Sequence, residues 1–269
     1  MAREETYVLG HEAASDVMAQ RDAAHFASFF TRYLSSGMRL LDCGCGPGTI
    51  TVGLAESVAP GEVVGIDFAE EEVIRARTLA RQRRVDNVRF DVGDATKLEF
   101  AESSFDAIFF HGVLCHLNQP ITALREARRV AKPGAVIGAR EPDARGNLIH
   151  PDTSPLARAL ELYETVRRRS GQDPWIGSKL RSLFDASGLS SVDLGASFEC
   201  YADRASIESH FGSVLDAGVS PGFIALVEAE ALCTRDEFME LVEGTRLWAR
   251  ADGSFFARAW CEAVGEVPA

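Results

Sequence analysis

Short apolar runs alternate with amphipathic stretches over the first half of the chain. Five of these runs predict β-strands, over 38–43, 63–67, 88–92, 105–110 and 135–139. The segments between them carry apolar residues at helical spacing and predict helices over 50–58, 70–84 and 121–130. Nearly continuous apolar runs such as 105–110 are typical of strands that a parallel sheet buries on both faces. The alternation predicts an α/β fold built on a doubly wound sheet.

The ends of the chain depart from this alternation. Aromatic and apolar residues at helical spacing predict a helical segment that ends at Ser35-Ser36-Gly37. Lys132-Pro133-Gly134 predicts a turn before the fifth strand. Further helices are predicted over 155–169 and 175–187, and further strands over 191–201 and 255–264. We therefore predict a helical cap over 1–36 and a main domain over 37–269, with a helical insert over about 203–250.

Composition and charge limit the kinds of molecule that this domain is expected to bind. The 269 residues carry a formal net charge of −12, and the basic clusters are short and lie among acidic residues. We expect no nucleic-acid partner, because such proteins usually present a basic patch. The N-terminus lacks the apolar core of a signal peptide, and no run reaches the ~18–20 apolar residues of a membrane span. The six cysteines include no Cys-x-x-Cys pair. We expect a cytoplasmic protein without membrane contact or bound metal.

A glycine-rich segment joins the first predicted strand to the first predicted helix. It reads Asp42-Cys43-Gly44-Cys45-Gly46-Pro47-Gly48. Glycines allow a sharp turn and close approach of a ligand, and doubly wound folds bind nucleotides at this place. The spacing Gly44-x-Gly46-x-Gly48 is one residue shorter than the dinucleotide fingerprint Gly-x-Gly-x-x-Gly. The acid at Asp42 would repel a pyrophosphate and would suit an ammonium group, which favours a sulfonium nucleoside over NAD.

Acidic residues also follow the second and third predicted strands. Asp67 ends the second strand, where a carboxylate can accept from the two ribose hydroxyls. Asp94 follows the third, where a carboxylate can accept from an adenine amino group. The ring of Phe68 can pack on the adenine face. Three acids in register after three successive strands support a nucleoside site.

Together these segments resemble the class I S-adenosylmethionine-dependent methyltransferases, in particular the group similar to ubiquinone/menaquinone-biosynthesis C-methyltransferases. The resemblance covers about residues 38–141. It implies a Rossmann-like sheet of seven strands with an antiparallel last strand, S-adenosylmethionine as the cofactor and S-adenosylhomocysteine as its product. The cofactor residues that it implies are Tyr7, His11, Asp42, Gly44, Cys45, Gly46, Asp67, Phe68, Asp94, Ala95, His111, Gly112, Val113 and His116.

Methyl transfer depends first on holding the acceptor close and aligned, and a phenol or carbon acid also needs a general base. The candidates for that base are His111, His116 and Glu141, with Asp143 and His11 behind them. We expect a small-molecule acceptor and allow for a homodimer. Three alternatives stay open: an RNA- or protein-modifying methyltransferase of the same fold, a non-catalytic S-adenosylmethionine-binding protein, and an NAD-dependent oxidoreductase.

Overall fold

The computed structural model describes residues 18–269, and for residues 191, 192, 213, 216 and 217 the backbone only. Over these residues the chain forms one eight-stranded sheet. The strands are Leu40–Cys43 (β1), Val63–Asp67 (β2), Val88–Val92 (β3), Phe105–His111 (β4), Ala131–Pro142 (β5), Leu148–His150 (β6), Ser190–Tyr201 (β7) and Phe255–Glu266 (β8). The helices are Ala23–Phe26 (α1), Ser28–Thr31 (α2), Thr49–Val58 (α3), Glu70–Arg83 (α4), Pro120–Val130 (α5), Ser154–Arg169 (α6), Leu180–Ala186 (α7), Arg204–Gly218 (α8), Pro221–Ala229 (α9) and Arg235–Arg250 (α10).

The sheet has the order expected of a doubly wound fold. The path is β3-β2-β1-β4-β5-β8, and β1 to β5 are parallel. β8 is antiparallel to β5, β6 and β7. Every residue of β1 and β2 is buried, because helices cover both faces of the parallel part. The predicted α/β Rossmann-like class with an antiparallel last strand is confirmed, with one strand more than the seven expected.

The eighth strand is β6, which lies in a stretch that the sequence does not mark as a strand. Its three residues pair with Phe255–Ala257 at the start of β8. They lie on the same edge of β8 as β5, whose pairing with β8 ends at Pro142. This pairing joins segments more than a hundred residues apart, so local sequence carries no sign of it.

A predicted turn and a predicted continuous helical segment differ from the structure. The predicted turn at 132–134 lies inside β5, where the pairing with β4 shifts register between Phe105 and Ala107 and Gly134 has φ +78°. The helical segment before Ser36 is broken into α1 and α2 by Ala27, whose φ of −122° is not helical. A bulge in a strand or a one-residue break in a helix leaves the apolar pattern of the sequence unchanged. The pattern alone therefore does not reveal either feature.

The helices before β1 pack on one face of the sheet. Phe30 of α2 is fully buried, and its ring stacks on Phe109 of β4 at 5.2 Å. The same ring covers Gly138 of β5, where a Cβ would lie only 2.4 Å from it. The side chain of Phe30 therefore fills the space that the missing side chain leaves.

Helices α6 and α8–α10 form a second apolar cluster at the end of the sheet. Its core includes Leu162, Phe211, Val227 and Trp248, and Phe256 of β8 joins it to the sheet. Three of these helices, α8–α10, follow β7 and precede β8 along the chain. This helical layer contacts the sheet at Ile149 of β6, Tyr201 of β7 and Phe256 of β8. Among residues 18–269, no helix combines the length and apolar character needed to span a membrane.

Candidate functional site

The glycine loop after β1 is held against β2 by backbone hydrogen bonds. Gly44 and Cys45 both donate their N–H groups to the carbonyl oxygen of Ile66, at 2.7 and 2.9 Å. Gly44 has φ +75° and Gly46 has φ +51°, the left-handed region in which glycine carries no penalty. A Cβ at Gly44 would lie 2.4 Å from the side chain of Val113, which follows β4. The loop therefore requires glycine both for its conformation and for its contact with the next strand end.

Asp67, the last residue of β2, links the loop to the helix that follows. Its Oδ2 accepts from the backbone N–H of Gly46 at 2.9 Å, and its Oδ1 accepts from Ala69 at 3.0 Å. The residue is 9% exposed, whereas the neighbouring Phe68 is 48% exposed. An acid and an exposed aromatic ring therefore stand together beside the loop.

One cavity adjoins the carboxyl ends of β1, β2 and β4. Its enclosed part is small, about 70 Å³. Its lining is Met18, Arg21, Gly44, Gly46, Asp67, Phe68, His111, Gly112, Val113, His116 and Leu117. We call it the central cavity. It brings together eight of the predicted site residues from three separate strand ends.

Asp42 does not line the central cavity. It is 3% exposed, and its Oδ2 accepts from the Thr51 hydroxyl at 2.7 Å. Burial raises the pKa of Asp42 to about 7, against the lowering effect of that hydrogen bond. The carboxylate that lines the cavity is therefore that of Asp67. Asp42 is buried outside the lining, so it is not placed for the predicted contact with an ammonium group.

His111, the last residue of β4, is buried at the side of the cavity. Arg140 of β5 donates to its Nε2 at 3.1 Å, and the Trp260 ring lies 4.9 Å away. Burial holds the pKa of His111 far below its usual value, and the charges of Arg21 and Arg140 add to this effect. Since a guanidinium only donates, the neutral ring carries its proton on Nδ1. A nitrogen occupied in this way is poorly suited to the predicted role of general base.

Glu141 has a positioning role instead of the predicted catalytic one. It is fully buried and does not line the cavity. Its Oε1 accepts from the N–H groups of Val113 and Leu114 at 2.9 Å each, and its Oε2 accepts from Cys115 at 3.1 Å. Burial raises the pKa of Glu141 to about 7, and the three N–H bonds oppose a larger rise. The carboxylate thus fixes the segment that carries Val113 and His116 to the cavity.

The remaining predicted residues lie outside the cavity lining. Asp94 is exposed, and its Oδ1 accepts from the backbone N–H and the hydroxyl of Thr96 at 2.7 Å each. Ala95 is next to it, and Cys45 is buried in the loop. Asp143 is bound by Arg145 and Ser178, so it also has a structural role. Tyr7 and His11 lie outside the described residues.

The predicted site residues did not include Met18, Arg21 and Leu117, which line the cavity, or Trp260, which lies beside it. Arg21 lines it, and its guanidinium lies 5.5 Å from the ring of Trp260. Trp260 approaches Gly112, where a Cβ would be 3.7 Å from its ring. Trp260 is distant in sequence from every motif and reaches the site only because β8 is added next to β5. The described residues contain no group of three or more His, Cys, Asp or Glu side chains placed to hold a metal ion.

A glycine loop, an acid after β2 and an exposed aromatic ring are the features of a nucleoside-binding site. A family model for the methyltransferase domain matches residues 34–175, which is more than half of the chain. The chain belongs to this family. The resemblance found in the sequence motifs to class I methyltransferases is thereby confirmed.

Relatives with similar sequences support this family assignment. An uncharacterized methyltransferase of Schizosaccharomyces pombe is 32% identical over 198 residues, 71% of each chain. A demethylmenaquinone methyltransferase of Geobacillus stearothermophilus is 30% identical over 214 residues, 68% of this chain and 89% of the relative.

Solved structures share the fold of the methyltransferase. The YcgJ protein of Bacillus subtilis has a TM-score of 0.63 at 19% identity, covering 91% of this chain and 99% of the other. A phosphoethanolamine N-methyltransferase 2 of Haemonchus contortus, in complex with S-adenosyl-L-methionine, has a TM-score of 0.58 at 17% identity and covers 99% and 59%. At these identities the likeness concerns the fold alone.

Proposed function

We propose that the protein transfers a methyl group from S-adenosylmethionine to a small-molecule acceptor. The observation that carries this proposal is the position of the Asp67 carboxylate beside Gly44 and Gly46 in the central cavity. The Asp67 carboxylate, which accepts from the loop at Gly46, suits hydroxyl and ammonium donors and opposes a pyrophosphate at this loop.

The residues of the cavity fit the parts of this cofactor. A carboxylate has about four acceptor positions, so Asp67 can accept ribose hydroxyls beside the two backbone N–H groups it already holds. The exposed ring of Phe68 offers a face for adenine, with Asp94 and Ala95 next along the sheet edge. The backbone of Gly44, Gly46 and Gly112 leaves room for the methionine part. When bound, the cofactor supplies an electrophilic methyl group for in-line transfer.

The chain's own contribution to transfer is positioning. Glu141 orders the segment 113–116, and His111 and Trp260 close the side of the cavity. His116 is the predicted base that lines the cavity without the hydrogen bond to Arg140 that occupies His111. We propose that it takes the proton when the acceptor needs deprotonation, because a neutral imidazole nitrogen can accept one.

A small acceptor is favoured over a macromolecular one by charge and shape. The net charge of −12 opposes binding of nucleic acid. The cavity is lined by three strand ends, and the helical layer of α6 and α8–α10 joins the sheet at Phe256 of β8, which favours a small acceptor.

The experiment is a transfer screen with S-adenosylmethionine labelled in the methyl group. Phenols, amines, thiols and quinone precursors serve as separate acceptor pools, and the protein without acceptor serves as the blank. We expect label in at least one small-molecule pool. Label that enters only protein or RNA would contradict the small-molecule acceptor, and failure to bind S-adenosylhomocysteine would contradict the cofactor.

A further inference from the structure

The segment that follows β4 carries lining residues of the central cavity. It covers residues 112–117 and contains a 3₁₀ turn, Leu114–His116. We call it the cavity segment. Val113 and His116 line the cavity, and Cys115 between them is 2% exposed. The positions of the two lining side chains therefore depend on the contacts that hold Cys115.

Cys115 is held from two sides. On one side, its backbone N–H donates to Oε2 of Glu141 at 3.1 Å. On the other side, its carbonyl oxygen accepts from the backbone N–H of Asp173 at 2.9 Å and from the guanidinium of Arg167 at 3.5 Å. This oxygen belongs to the peptide group that joins Cys115 to His116. The contacts on the carbonyl side therefore fix the orientation in which the chain enters His116.

Arg167, near the C-terminal end of α6, has a second contact that orders the donor to Cys115. Its guanidinium also donates to the side-chain oxygen of Gln172 at 2.9 Å, and both residues are 7% exposed. The backbone N–H of Gln172 in turn donates to the carbonyl oxygen of Arg167 at 3.0 Å. Arg167 is thus bonded to the short turn 170–173, which ends in Asp173.

This turn also packs on the end of the cavity segment. Gly171 has φ +87°, and a Cβ there would collide with Oδ1 of Asn118, the residue that follows the cavity segment. Both the conformation of the turn and its close approach to Asn118 therefore require glycine. The turn is seated on the segment at two places, the Cys115 carbonyl and the Asn118 side chain.

The burial of Arg167 is evidence that its hydrogen bonds matter. Arginine is almost never this buried unless its N–H groups have partners, and an apolar side chain of similar length would fill the same volume at a lower cost of desolvation. Packing alone therefore does not explain an arginine at this position. The partners of its guanidinium are an oxygen of the turn and an oxygen of the cavity segment.

Helix α6 belongs to the helical layer as well. Leu162 and Val166 are buried in the second apolar cluster, with residues of α8–α10. Val166 and Arg167 are adjacent in sequence, but the first packs in the helical layer and the second reaches the cavity segment. Helix α6 therefore joins the helical layer to the cavity segment.

We propose that Arg167 is a positioning residue of this methyltransferase, which sets the positions of Val113 and His116 in the central cavity by holding the Cys115 carbonyl and the turn 170–173. Glu141 holds the N–H side of the same segment. The cavity segment is thereby fixed by β5 on one side and by α6 on the other. The importance of His116 in this inference rests on the methyl-transfer function proposed above.

The test compares two neighbouring substitutions on α6. Arg167→Met keeps an unbranched side chain of similar length and removes every N–H donor of the guanidinium. Val166→Ala is the matched control, because it removes buried volume from the helical layer and leaves the contacts of Cys115 in place. Urea unfolding gives the loss of stability in each variant, so that this loss can be separated from a change in the cavity.

The first measurement needs no ligand. It is the NMR signal of the His116 ring in protein labelled with carbon-13 histidine, assigned with His116→Gln among the six histidines of the chain. We expect Arg167→Met to shift this signal and Val166→Ala to leave it at the wild-type position. Arg167→Lys keeps a donor for the Cys115 carbonyl and should return the signal part of the way. A purely structural role of Arg167 would lower stability and leave the signal in place.

The second measurement is isothermal titration with S-adenosylhomocysteine. We expect Arg167→Met to weaken binding about fivefold or more, as for the loss of a contact that couples two parts of a structure, and Val166→Ala to leave it unchanged. Glu141→Gln combined with Arg167→Met should weaken binding by less than the product of the two single effects, because both side chains act on the same segment.

Two results would overturn the inference: a His116 signal that Arg167→Met does not shift, or equal shifts in Arg167→Met and Val166→Ala. If Arg167→Met does not fold, Arg167→Lys carries the test with a smaller shift expected, and no shift overturns the inference. A wild type that does not bind S-adenosylhomocysteine contradicts the cofactor proposal alone. A protein that binds this nucleoside while Arg167→Met leaves the His116 signal in place contradicts the positioning inference alone.

Discussion

The backbone N–H of Gly46 donates to Oδ2 of Asp67 over 2.9 Å. The side chain that ends β2 therefore orders the loop that follows β1, in addition to offering oxygens to a ligand. The ribose binding that we propose for Asp67 and the shape of the glycine loop would therefore depend on the same carboxylate.

Replacement of Asp67 should weaken cofactor binding in two steps. Asp67→Asn keeps one acceptor oxygen, and we expect about a tenfold loss of affinity for S-adenosylhomocysteine, since one charged hydrogen bond accounts for roughly 1.5–3 kcal/mol. Asp67→Ala also releases Gly46 and should lose more. Isothermal titration measures both, and Asp86→Asn, an exposed acid elsewhere, is the control. Unchanged affinity in Asp67→Ala would contradict the ribose role.

Gly44→Ala should damage both folding and binding. Gly44 and Gly37 have φ of +75° and +87°, but only Gly44 would place its Cβ 2.4 Å from another side chain, that of Val113. Gly37→Ala therefore measures the backbone strain alone, about 1–2 kcal/mol. We expect Gly44→Ala to lose more stability in urea unfolding and to bind S-adenosylhomocysteine more weakly. Equal losses in the two variants would show that the contact with Val113 is not limiting.

Glu141→Gln should loosen the segment that follows β4. The amide NH₂ would face at least one of the N–H groups of Val113, Leu114 and Cys115, which leaves a buried donor without its acceptor. The expected loss of unfolding free energy is about 1–3 kcal/mol. The exposed Glu228→Gln should show none. If Glu141 were instead the catalytic base, methyl transfer would fall while stability and cofactor affinity stayed at the wild-type values.

Asp42 should make stability depend on pH. Its pKa rises from 3.8 in the unfolded chain to about 7 in the folded one, so the folded state holds the proton more tightly. Its contribution to stability is full below about pH 4 and is lost as the pH rises towards 7. Asp42→Asn keeps an acceptor for Thr51 and cannot ionise, so it should gain stability relative to the wild type between pH 5 and pH 8. Urea unfolding at these two values checks this, and a constant difference would contradict the buried, proton-holding carboxyl.

Phe30 should be a major contact between the N-terminal helices and the sheet. Phe30→Ala removes a fully buried ring over Phe109 and Gly138, and the expected loss is about 3–5 kcal/mol. Phe198→Ala removes a ring that is 50% exposed and should lose much less. Denaturant unfolding of the pair measures the difference. Similar losses of unfolding free energy would contradict a major contribution of the Phe30 ring to stability.

The sequence predicted the parallel half of the fold closely, because strands buried on both faces are marked by continuous apolar runs. β2 and β3 have the predicted bounds. The break at Ala27 and the short strand β6 depend on tertiary packing and strand pairing, which local pattern does not encode.

The residues of the candidate site also differ in whether local sequence or distant packing determines their position. Residues next to the glycine loop and after β2 and β4 were predicted, since strand ends meet at one sheet edge. Arg21 and Trp260 reach the cavity from distant segments. For Glu141, the sequence shows a carboxylate near the end of the fifth strand but not the three N–H groups that it accepts from.

We propose that the cavity beside Asp67 accepts S-adenosylmethionine and its product S-adenosylhomocysteine, and not a dinucleotide. Isothermal titration of the wild type with S-adenosylhomocysteine, NAD and NADP in parallel tests this directly. We expect one bound S-adenosylhomocysteine per chain, lost in Asp67→Ala, and no binding of either nicotinamide cofactor. Binding of NAD or NADP together with no binding of S-adenosylhomocysteine would contradict it.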